Sequence, residues 1–348
     1  MLKLLTIIGA RPQIIKAAAI SRAIDNHYKK QIREIIVHTG QHYDNNMSGV
    51  FFGELNIPKP DYNLGVGSDL HGKQTARMIE GIEKLLLEEK PNYIILYGDT
   101  NSTLAGAIAA SKLHILVVHV EAGLRSFNRK MPEEINRVTC DHLSTLLFSP
   151  TKTGFNNLVH EGFSSQNTAP FSPDNPGVFH CGDVMYDNSL FFSEMAAQKS
   201  TIIEKMGVEK NNYILATLHR DNNTDDPERL TQILNSFIKI IEHDNTEIIL
   251  PLHPRTYNKL TEELHQSLWD KINHNEGLHI IDPVSFLDMI QLEKHARIIM
   301  TDSGGVQKEA YFFNKPCIVL RPETEWTELL ETGKTILADA NKEYILSA

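Results

Sequence analysis

Cysteine is scarce in this sequence, with three residues among 348. Cys140, Cys181 and Cys317 stand far apart, so they fit neither a disulfide framework nor the paired spacing of a zinc site. We expect each to be a small buried apolar residue in a reducing compartment. Long apolar runs are also missing, because the opening MLKLLTII is too short to span a membrane and lacks a small-residue cleavage site. These absences predict a cytoplasmic protein that does not enter a membrane.

Positive charge is in short supply as well. Lys and Arg number 34 against 44 Asp and Glu, which gives a formal net charge of −10. Nucleic acids and anionic membranes are bound through basic surfaces, so the sequence argues against both partners. A small phosphorylated molecule needs only a few local donors and is not excluded. The glycine spacing matches neither the dinucleotide-binding fingerprint nor the Walker phosphate loop, so neither type of nucleotide site is supported.

Length and hydrophobic patterning indicate two domains of the α/β class. Short apolar runs, typical of strands buried on both faces of a parallel sheet, alternate with longer amphipathic stretches in both halves. We predict two Rossmann-like, doubly wound parallel-sheet domains, residues 1–183 and 184–348, that face an inter-domain cleft. The predicted strands are residues 4–8, 34–38, 93–96, 116–120, 213–217, 247–250, 279–281, 298–301 and 318–320.

Ligands of such sheets bind beyond the carboxyl ends of the strands, so polar residues that follow predicted strands are candidate site residues. Arg11 and Lys16 follow the first strand near a predicted helix N-terminus, where anions bind, or they are solvated cations of an ordinary turn. Asp99 follows a later strand and either acts chemically or caps a helix. Glu121 lies among apolar neighbours, where a carboxylate can serve as an acid or base, or it pairs with Arg125.

The segment MPEEINR at 131–137 opens a further predicted helix with a proline and two carboxylates. Glu133 and Arg137 are four residues apart and therefore share one helix face. Acidic residues in a first turn also complement the helix dipole, which is the alternative explanation. Three carboxylates at corresponding ends of successive elements (Asp99, Glu121 and Glu133) nevertheless indicate a site for proton transfer.

The second half places polar residues after its strands in the same way. His219 and His253 follow two successive strands and are candidate acids, bases or phosphate ligands. The sharpest signal is TDSGGVQKEA at 301–310, where two glycines expose backbone N–H groups as a helix begins, as in a phosphate cradle. Glu309 follows about one turn into that helix, where a carboxylate could bind two ribose hydroxyls.

Together these segments resemble the non-hydrolysing UDP-N-acetylglucosamine 2-epimerases, which are members of the GT-B superfamily. The segments SFNRKMPEE and TEWTEL resemble those of two groups within the family. One group acts on UDP-2,3-diacetamido-2,3-dideoxy-glucuronate, and the other comprises capsule-locus UDP-GlcNAc epimerases. Gln13 stands where housekeeping members commonly have Glu. The matching segments span nearly the whole chain in the family's order: GARPQIIK at 9–16, HTGQH at 38–42, YGDTNST at 97–103, HVEAGLRS at 119–126, MPEEINR at 131–137, LHR at 218–220, PLHPR at 251–255, TDSGGVQKEA at 301–310 and TEW at 324–326.

The resemblance implies C2 epimerisation of a UDP-2-acetamido sugar for surface polysaccharide synthesis, by elimination of UDP to a glycal and re-addition. It implies no metal and no cofactor, a UDP-sugar as the partner, and a homodimer. A hydrolysing epimerase, a GT-B glycosyltransferase and a sensor that binds without turnover are the alternatives. By the same matching, the catalytic groups are Asp99, Glu121, Glu133 and His219, and the substrate or UDP is bound by Arg11, Lys16, Arg137, His253, Ser303, Gly304, Gly305, Glu309 and Arg321.

The sequence departs from the family pattern in two places. Asn222 stands where the family usually has Glu, which argues against an acidic role there. Family members usually continue beyond the point matched by Ala348 with helices that cross back onto the first domain. Either those helices lie outside this sequence or domain closure is achieved differently. The family also has a regulatory site near the positions matched by Gln41, His42 and Arg125, which is a further expectation.

Overall fold

The computed structural model describes residues 1–41 and 57–348, so His42 lies outside the described residues. The chain forms two compact units, Met1–Asn188 (unit 1) and Ser189–Ala348 (unit 2), which divide within the helix Val184–Lys199. Each unit is built on one parallel sheet, which confirms the predicted α/β class with two doubly wound sheets. Within the described residues, no helix combines the length and apolar composition that a membrane crossing requires.

The described residues of unit 1 contain a parallel sheet of seven strands: β1 Leu2–Ile8, β2 Ile32–His38, β3 Tyr62–Asn63, β4 Tyr93–Tyr97, β5 Leu116–Val120, β6 Leu146–Ser149 and β7 Gly177–His180. Their order in the sheet is β3-β2-β1-β4-β5-β6-β7, and every neighbouring pair is parallel. The order reverses direction between β1 and β4, and this reversal creates the crevice in which doubly wound sheets bind ligands.

Small residues let the helices of unit 1 approach its sheet closely. A Cβ at Gly106 would lie 2.5 Å from Leu96 Cδ2 of β4, so glycine permits the contact between the helix Asn101–Lys112 and the sheet. A proline lies in the first turn of the helices that follow β1 and β5, as the second residue in one (Pro12) and the first in the other (Pro132), where no N–H is required. The helices are Arg11–Ala23 with a π-helical turn at Ile24–Tyr28, His71–Glu89, Asn101–Lys112, Pro132–Leu143 and Lys152–His160, followed by Val184–Lys199.

Unit 2 repeats the same winding with six parallel strands: β8 Tyr213–Thr217, β9 Glu247–Pro251, β10 Leu278–Ile281, β11 Ile298–Thr301, β12 Cys317–Val319 and β13 Thr335–Leu337. Their order in the sheet is β10-β9-β8-β11-β12-β13. Its helices are Ile202–Met206, Asp221–Thr224, Pro227–Asp244, Pro254–Glu263, Gln266–Asn273, Phe286–His295, Gly304–Phe312, Thr327–Glu331 and Lys342–Ser347.

Two details differ from the sequence prediction. The strands β3, β6, β7 and β13 were not predicted, because each is at most four residues long and gives too short an apolar run to stand out. The prediction that every cysteine is buried is wrong for Cys181. Cys140 and Cys317 are buried, whereas Cys181 follows the end of β7 and is exposed.

Unit 2 buries a carboxyl group that has no hydrogen-bond donor beside it. Glu293 is 1% exposed, and neither of its oxygens has a donor partner among the described residues. Its side chain contacts Glu309, a second carboxyl group, on the helix Gly304–Phe312. Burial and the charge of Glu309 raise the pKa of Glu293 well above its ordinary value. Loss of the proton would place a second negative charge beside Glu309 in a buried site, so we expect Glu293 to be the protonated member of this pair.

We expect Glu293→Gln to stabilise the protein increasingly as pH rises. A carboxyl group with a raised folded-state pKa contributes fully below its unfolded pKa, and its contribution falls by about 1.4 kcal/mol per pH unit up to the folded pKa. The neutral amide does not titrate, so the gain in free energy of unfolding should grow above about pH 5. Urea unfolding at several pH values measures this, with the exposed Glu204→Gln as control. A pH-independent difference would show that Glu293 is not protonated in the folded protein.

Candidate active site

The turns that follow β1, β4 and β5 bring a lysine and a glutamate together in unit 1. Lys16 Nζ lies 2.7 Å from Glu121 Oε1, and the two side chains are 11% and 10% exposed. Gly98, which follows β4, adopts a left-handed φ of +61°, and a Cβ there would approach Lys16 Nζ to 3.1 Å. Glycine at this position therefore leaves room for the ion pair.

The backbone of Glu121 is itself in an uncommon conformation. Its φ is +76°, a left-handed value that costs free energy in a non-glycine residue and persists only where neighbours enforce it. Its N–H donates to the carbonyl of Phe148, at the C-terminal end of β6, at 3.0 Å. The alternative that Glu121 pairs with Arg125 is wrong: Lys16 binds Glu121, and Arg125 binds Asp141 and Glu161.

A second ionic group joins Asp99 to the helix Pro132–Leu143. Arg137 Nη2 lies 2.6 Å from Asp99 Oδ2, and Arg137 Nη1 lies 2.7 Å from Glu134 Oε2. Glu134 is buried and also accepts the N–H groups of Ser126 and Phe127 at 3.0 Å. Arg137 therefore holds Asp99 at the end of β4, in the crevice of the sheet.

Glu133 and Glu134 differ sharply despite being adjacent. The predicted helix-face partner of Arg137 was Glu133, but the ion pair is made by Glu134, three residues before the arginine. Glu133 is half-buried and makes no hydrogen bond or ion pair within the part of the chain that the structure describes. Of the two carboxylates, Glu134 is committed to structure and Glu133 is available for chemistry.

Gln13 fixes the crevice between β1 and β4, a role that sequence reasoning missed. Its Oε1 accepts the N–H groups of Gly9 and Ala10 at 2.9 and 3.2 Å. Its Nε2 donates to the Tyr97 carbonyl at 2.9 Å and to Thr103 Oγ1 at 3.0 Å. All four partners flank the point where the strand order reverses. The available signal was an uncharged polar residue followed directly by two isoleucines in the first turn of the helix.

Arg11 and Arg125 lie in different environments. Arg11 is exposed at the first residue of its helix, next to the β1 turn. The Arg125 guanidinium is 2% exposed and bound by Asp141, by Glu161 and by the Leu124 carbonyl. Arg125 is thus taken up by internal partners.

Asp302 organises the corresponding edge of unit 2. This fully buried carboxylate accepts the backbone N–H groups of His219 and Arg220 at 3.1 Å and the Asn223 side-chain amide at 3.2 Å. His219 Nδ1 lies 3.0 Å from Asp302 Oδ1, and the His219 side chain is half-exposed. Burial raises the pKa of Asp302, but His219 and the backbone donors outweigh it and leave that pKa below its ordinary value. Sequence reasoning named His219 and missed the buried residue that holds it.

The Ser303–Gly304–Gly305 turn begins the helix Gly304–Phe312 directly after β11. Ser303 Oγ accepts the Val306 N–H at 3.5 Å. A Cβ at Gly304 would clash with the side-chain end of Glu325, whereas one at Gly305 would make only an ordinary contact with Ser303 Oγ at 3.8 Å, so the tighter packing is at Gly304. The open backbone at Gly305 lies at a helix N-terminus, a favourable place for a phosphate.

The remaining predicted residues of unit 2 lie at the same edge of its sheet. Arg321 follows β12, is 8% exposed and pairs with Glu325 at 3.0 Å. His253 follows β9 and is exposed. Glu309 is buried one turn into the helix that the Ser303 turn begins, beside Glu293. Within residues 1–41 and 57–348, no three His, Cys, Asp or Glu side chains form a group suited to a metal ion.

Comparison with known proteins identifies the family. The model of the UDP-N-acetylglucosamine 2-epimerase family matches residues 24–348. The chain is 51% identical to a UDP-N-acetylglucosamine 2-epimerase homolog of Methanococcus maripaludis, over 99% of this chain and 91% of that protein. It is 46% identical to the UDP-2,3-diacetamido-2,3-dideoxy-D-glucuronate 2-epimerase of Pseudomonas aeruginosa, over 100% and 91%.

A solved structure gives the same result. The UDP-GlcNAc 2-epimerase of Methanocaldococcus jannaschii, crystallised with UDP-GlcNAc and UDP, superimposes with a TM-score of 0.86 at 45% identity and covers 99% of this chain and 91% of that one. The GT-B-like fold and the resemblance drawn from the sequence motifs are confirmed. This chain belongs to the UDP-N-acetylglucosamine 2-epimerase family.

Proposed function

We propose that this protein epimerises C2 of a UDP-2-acetamido sugar without hydrolysing it. The observation that carries the proposal is the group of carboxylates at the crevice of unit 1: Glu121 is held by Lys16, Asp99 is held by Arg137, and Glu133 is half-buried. Removal of a proton from one face of C2 and its return to the other require two acid–base groups, and this edge supplies them.

The chemistry explains why leaving-group stabilisation is needed as well. The C2 proton of a 2-acetamido sugar is not acidic, so direct removal would leave an unstabilised carbanion. In the proposed route the C1–oxygen bond breaks and UDP departs with its electron pair while a base takes the C2 proton, which gives a 2-acetamidoglycal. UDP then adds back to C1 and the proton returns to C2 on the opposite face. The leaving diphosphate needs donors that stabilise its growing charge.

Unit 2 supplies groups suited to the UDP moiety. We assign the diphosphate to the turn Ser303–Gly304–Gly305, in which Gly305 is exposed, and the ribose to Glu309. His219, oriented by Asp302, joins the catalytic groups. Arg11, Lys16, Arg137, His253 and Arg321 complete the proposed set that binds the substrate. Residues 1–183 and 184–348 remain the proposed catalytic and UDP-binding domains.

The relatives are named for two different substrates, and the proposal includes both. The M. jannaschii relative is a UDP-GlcNAc 2-epimerase, and the P. aeruginosa relative is named for the diacetamido-glucuronate analogue. Action in the cytoplasm for surface polysaccharide synthesis, as a homodimer, completes the proposal. Light scattering of the purified protein tests the dimer.

Proton NMR in D₂O tests the reaction. The protein is incubated first with UDP-GlcNAc and then with UDP-2,3-diacetamido-2,3-dideoxy-glucuronate. Deuterium at C2 together with the signal of the C2-epimeric UDP-sugar, at constant total UDP-sugar, supports the proposal and identifies the substrate. Release of free sugar and UDP would indicate a hydrolysing epimerase. Absence of exchange with both sugars would contradict the proposal and favour a transferase or a binding protein.

We expect Glu121→Gln and Glu133→Gln each to lower turnover by roughly 10²–10⁴-fold, because an amide cannot transfer the C2 proton. UDP affinity, measured by calorimetry, should stay within about twofold in both variants, since their binding donors are intact. The exposed Glu80→Gln is the matched control and should epimerise at the wild-type rate. If Glu121→Gln and Glu133→Gln both turned over at the wild-type rate, neither glutamate would take part in the proton-transfer step.

Glu309→Ala should mainly weaken UDP binding, by about tenfold or more, because a charge-assisted ribose contact is lost. Calorimetric titration with UDP measures this directly. Glu331→Ala changes an exposed glutamate of the same unit and serves as the control. Unchanged UDP affinity would exclude the ribose role of Glu309.

A further inference from the structure

His119 of β5 is a fully buried histidine that the proposed reaction does not use. Its Nδ1 lies 2.6 Å from Asp141 Oδ1, and its Nε2 lies 2.8 Å from the carbonyl oxygen of Gly98. A carbonyl oxygen can only accept, so Nε2 carries a proton and donates it. The state of Nδ1 then depends on whether Asp141 is ionised.

Burial raises the pKa of Asp141, but His119 and the guanidinium of Arg125 lower it below its ordinary value, so Asp141 is ionised. Its Oδ2 accepts the Gly123 N–H at 3.0 Å and lies 2.8 Å from Arg125 Nη1. An ionised carboxylate only accepts, so Nδ1 of His119 must also carry a proton. His119 is therefore an imidazolium that donates from both ring nitrogens.

Burial of this charge is compensated by an alternating chain of charges. Positive His119 meets negative Asp141, which meets positive Arg125, and Arg125 binds Glu161 through Nε and Nη2 at 2.7 Å each. Charged groups removed from water are tolerated only when they are paired with opposite charges and hydrogen-bonded in this way. Burial lowers the pKa of His119, but Cys140 and Asp141 raise it, and the net pKa lies well above its ordinary value.

The imidazolium joins the two turns that carry the proposed proton-transfer edge. Gly98 directly precedes Asp99, and Gly123 comes two residues after Glu121. Gly98, Glu121 and Gly123 all have left-handed φ values, of +61°, +76° and +84°. These left-handed conformations persist only where surrounding contacts enforce them. The hydrogen bonds at Gly98 and Gly123 therefore determine where the neighbouring carboxylates lie.

We propose that His119 and Asp141 are positioning residues for the C2 epimerisation: the doubly protonated imidazole ring of His119 fixes the Gly98 carbonyl and, through Asp141, the Gly123 amide. This inference rests on the proposed function. A neutral imidazole has only one donor, so it would leave either the Gly98 carbonyl or Asp141 without its partner. The pair thus sets the separation of Asp99 and Glu121 without touching substrate.

Two substitutions separate the two hydrogen bonds of His119. In His119→Gln the side-chain amide nitrogen can take the place of Nε2 and keep the bond to Gly98. In His119→Asn it can take the place of Nδ1 and keep the bond to Asp141. We expect His119→Asn to lower kcat by about tenfold to a hundredfold, because small misplacements of reacting groups cost that much, and His119→Gln to retain more of the activity. KM and UDP affinity should stay within about twofold in both.

His160→Gln and His160→Asn are the matched controls, since His160 is an exposed histidine at the end of the helix Lys152–His160. Both should keep wild-type kcat. Equal kcat in wild type and His119→Asn would overturn the positioning role. Loss of UDP affinity in parallel with kcat would overturn it as well, because that pattern indicates general disruption of the fold.

A measurement on the wild-type protein tests the charge state separately from activity. In the ¹⁵N-histidine-labelled protein at about pH 8, where an ordinary histidine is neutral, His119 should show two protonated ring nitrogens. Absence of these signals from His119→Gln assigns them. A single protonated nitrogen would overturn the inference whatever the activity. If wild type shows the imidazolium but no C2 exchange with either UDP-sugar, the proposed function fails and, with it, the positioning role.

Discussion

Lys16 and Glu121 meet where three strand ends of unit 1 converge, and the surrounding structure follows from the need to keep this largely buried pair together. Charges removed from water are stable only when paired closely, and these two lie 2.7 Å apart. A glycine at position 98 favours the pairing, because it adopts a left-handed φ without strain and a Cβ there would crowd the lysine. The pairing also involves a left-handed backbone at Glu121, which the Phe148 carbonyl supports. Glu121, a residue proposed to do the chemistry, therefore carries a local conformational cost.

The two units share one sheet architecture but hold their site residues with different interactions. Both are parallel sheets whose order reverses once, so polar turns gather at the carboxyl ends of the central strands. In unit 1 the turns are held by ion pairs involving Lys16 and Arg137. In unit 2 a single buried carboxylate, Asp302, collects the amides of the turn that follows β8 and orients His219. Asp99 and His219 are thus each oriented by a partner that is more deeply buried.

The strand-end turns could be predicted from sequence because long apolar runs mark central strands, and the residue after each run must lie at the site edge. The partners within each turn could not. Helical spacing suggested Glu133 for Arg137, yet Glu134 pairs with it because the backbone N–H groups of Ser126 and Phe127 also converge on Glu134. Those donors belong to a loop whose path no periodicity encodes. The roles of Asp302 and Asp141 could not be predicted for the same reason. Each of these buried carboxylates accepts hydrogen bonds from residues that are distant in sequence.

Whether an acidic residue of unit 1 is suited to proton transfer depends on its surroundings and not on whether it is Asp or Glu. Asp141 and Glu134 are deeply buried, and both oxygens of each accept from backbone or side-chain donors, so a change of charge at either would cost several hydrogen bonds. Asp99 has one cation and a partly exposed side chain, and Glu133 is half-buried without such partners in the described chain. A group that must take and return a proton has to change its charge, and full hydrogen-bond saturation makes that change costly. The unsaturated carboxylates are therefore the ones suited to proton transfer, and the saturated ones hold them in place.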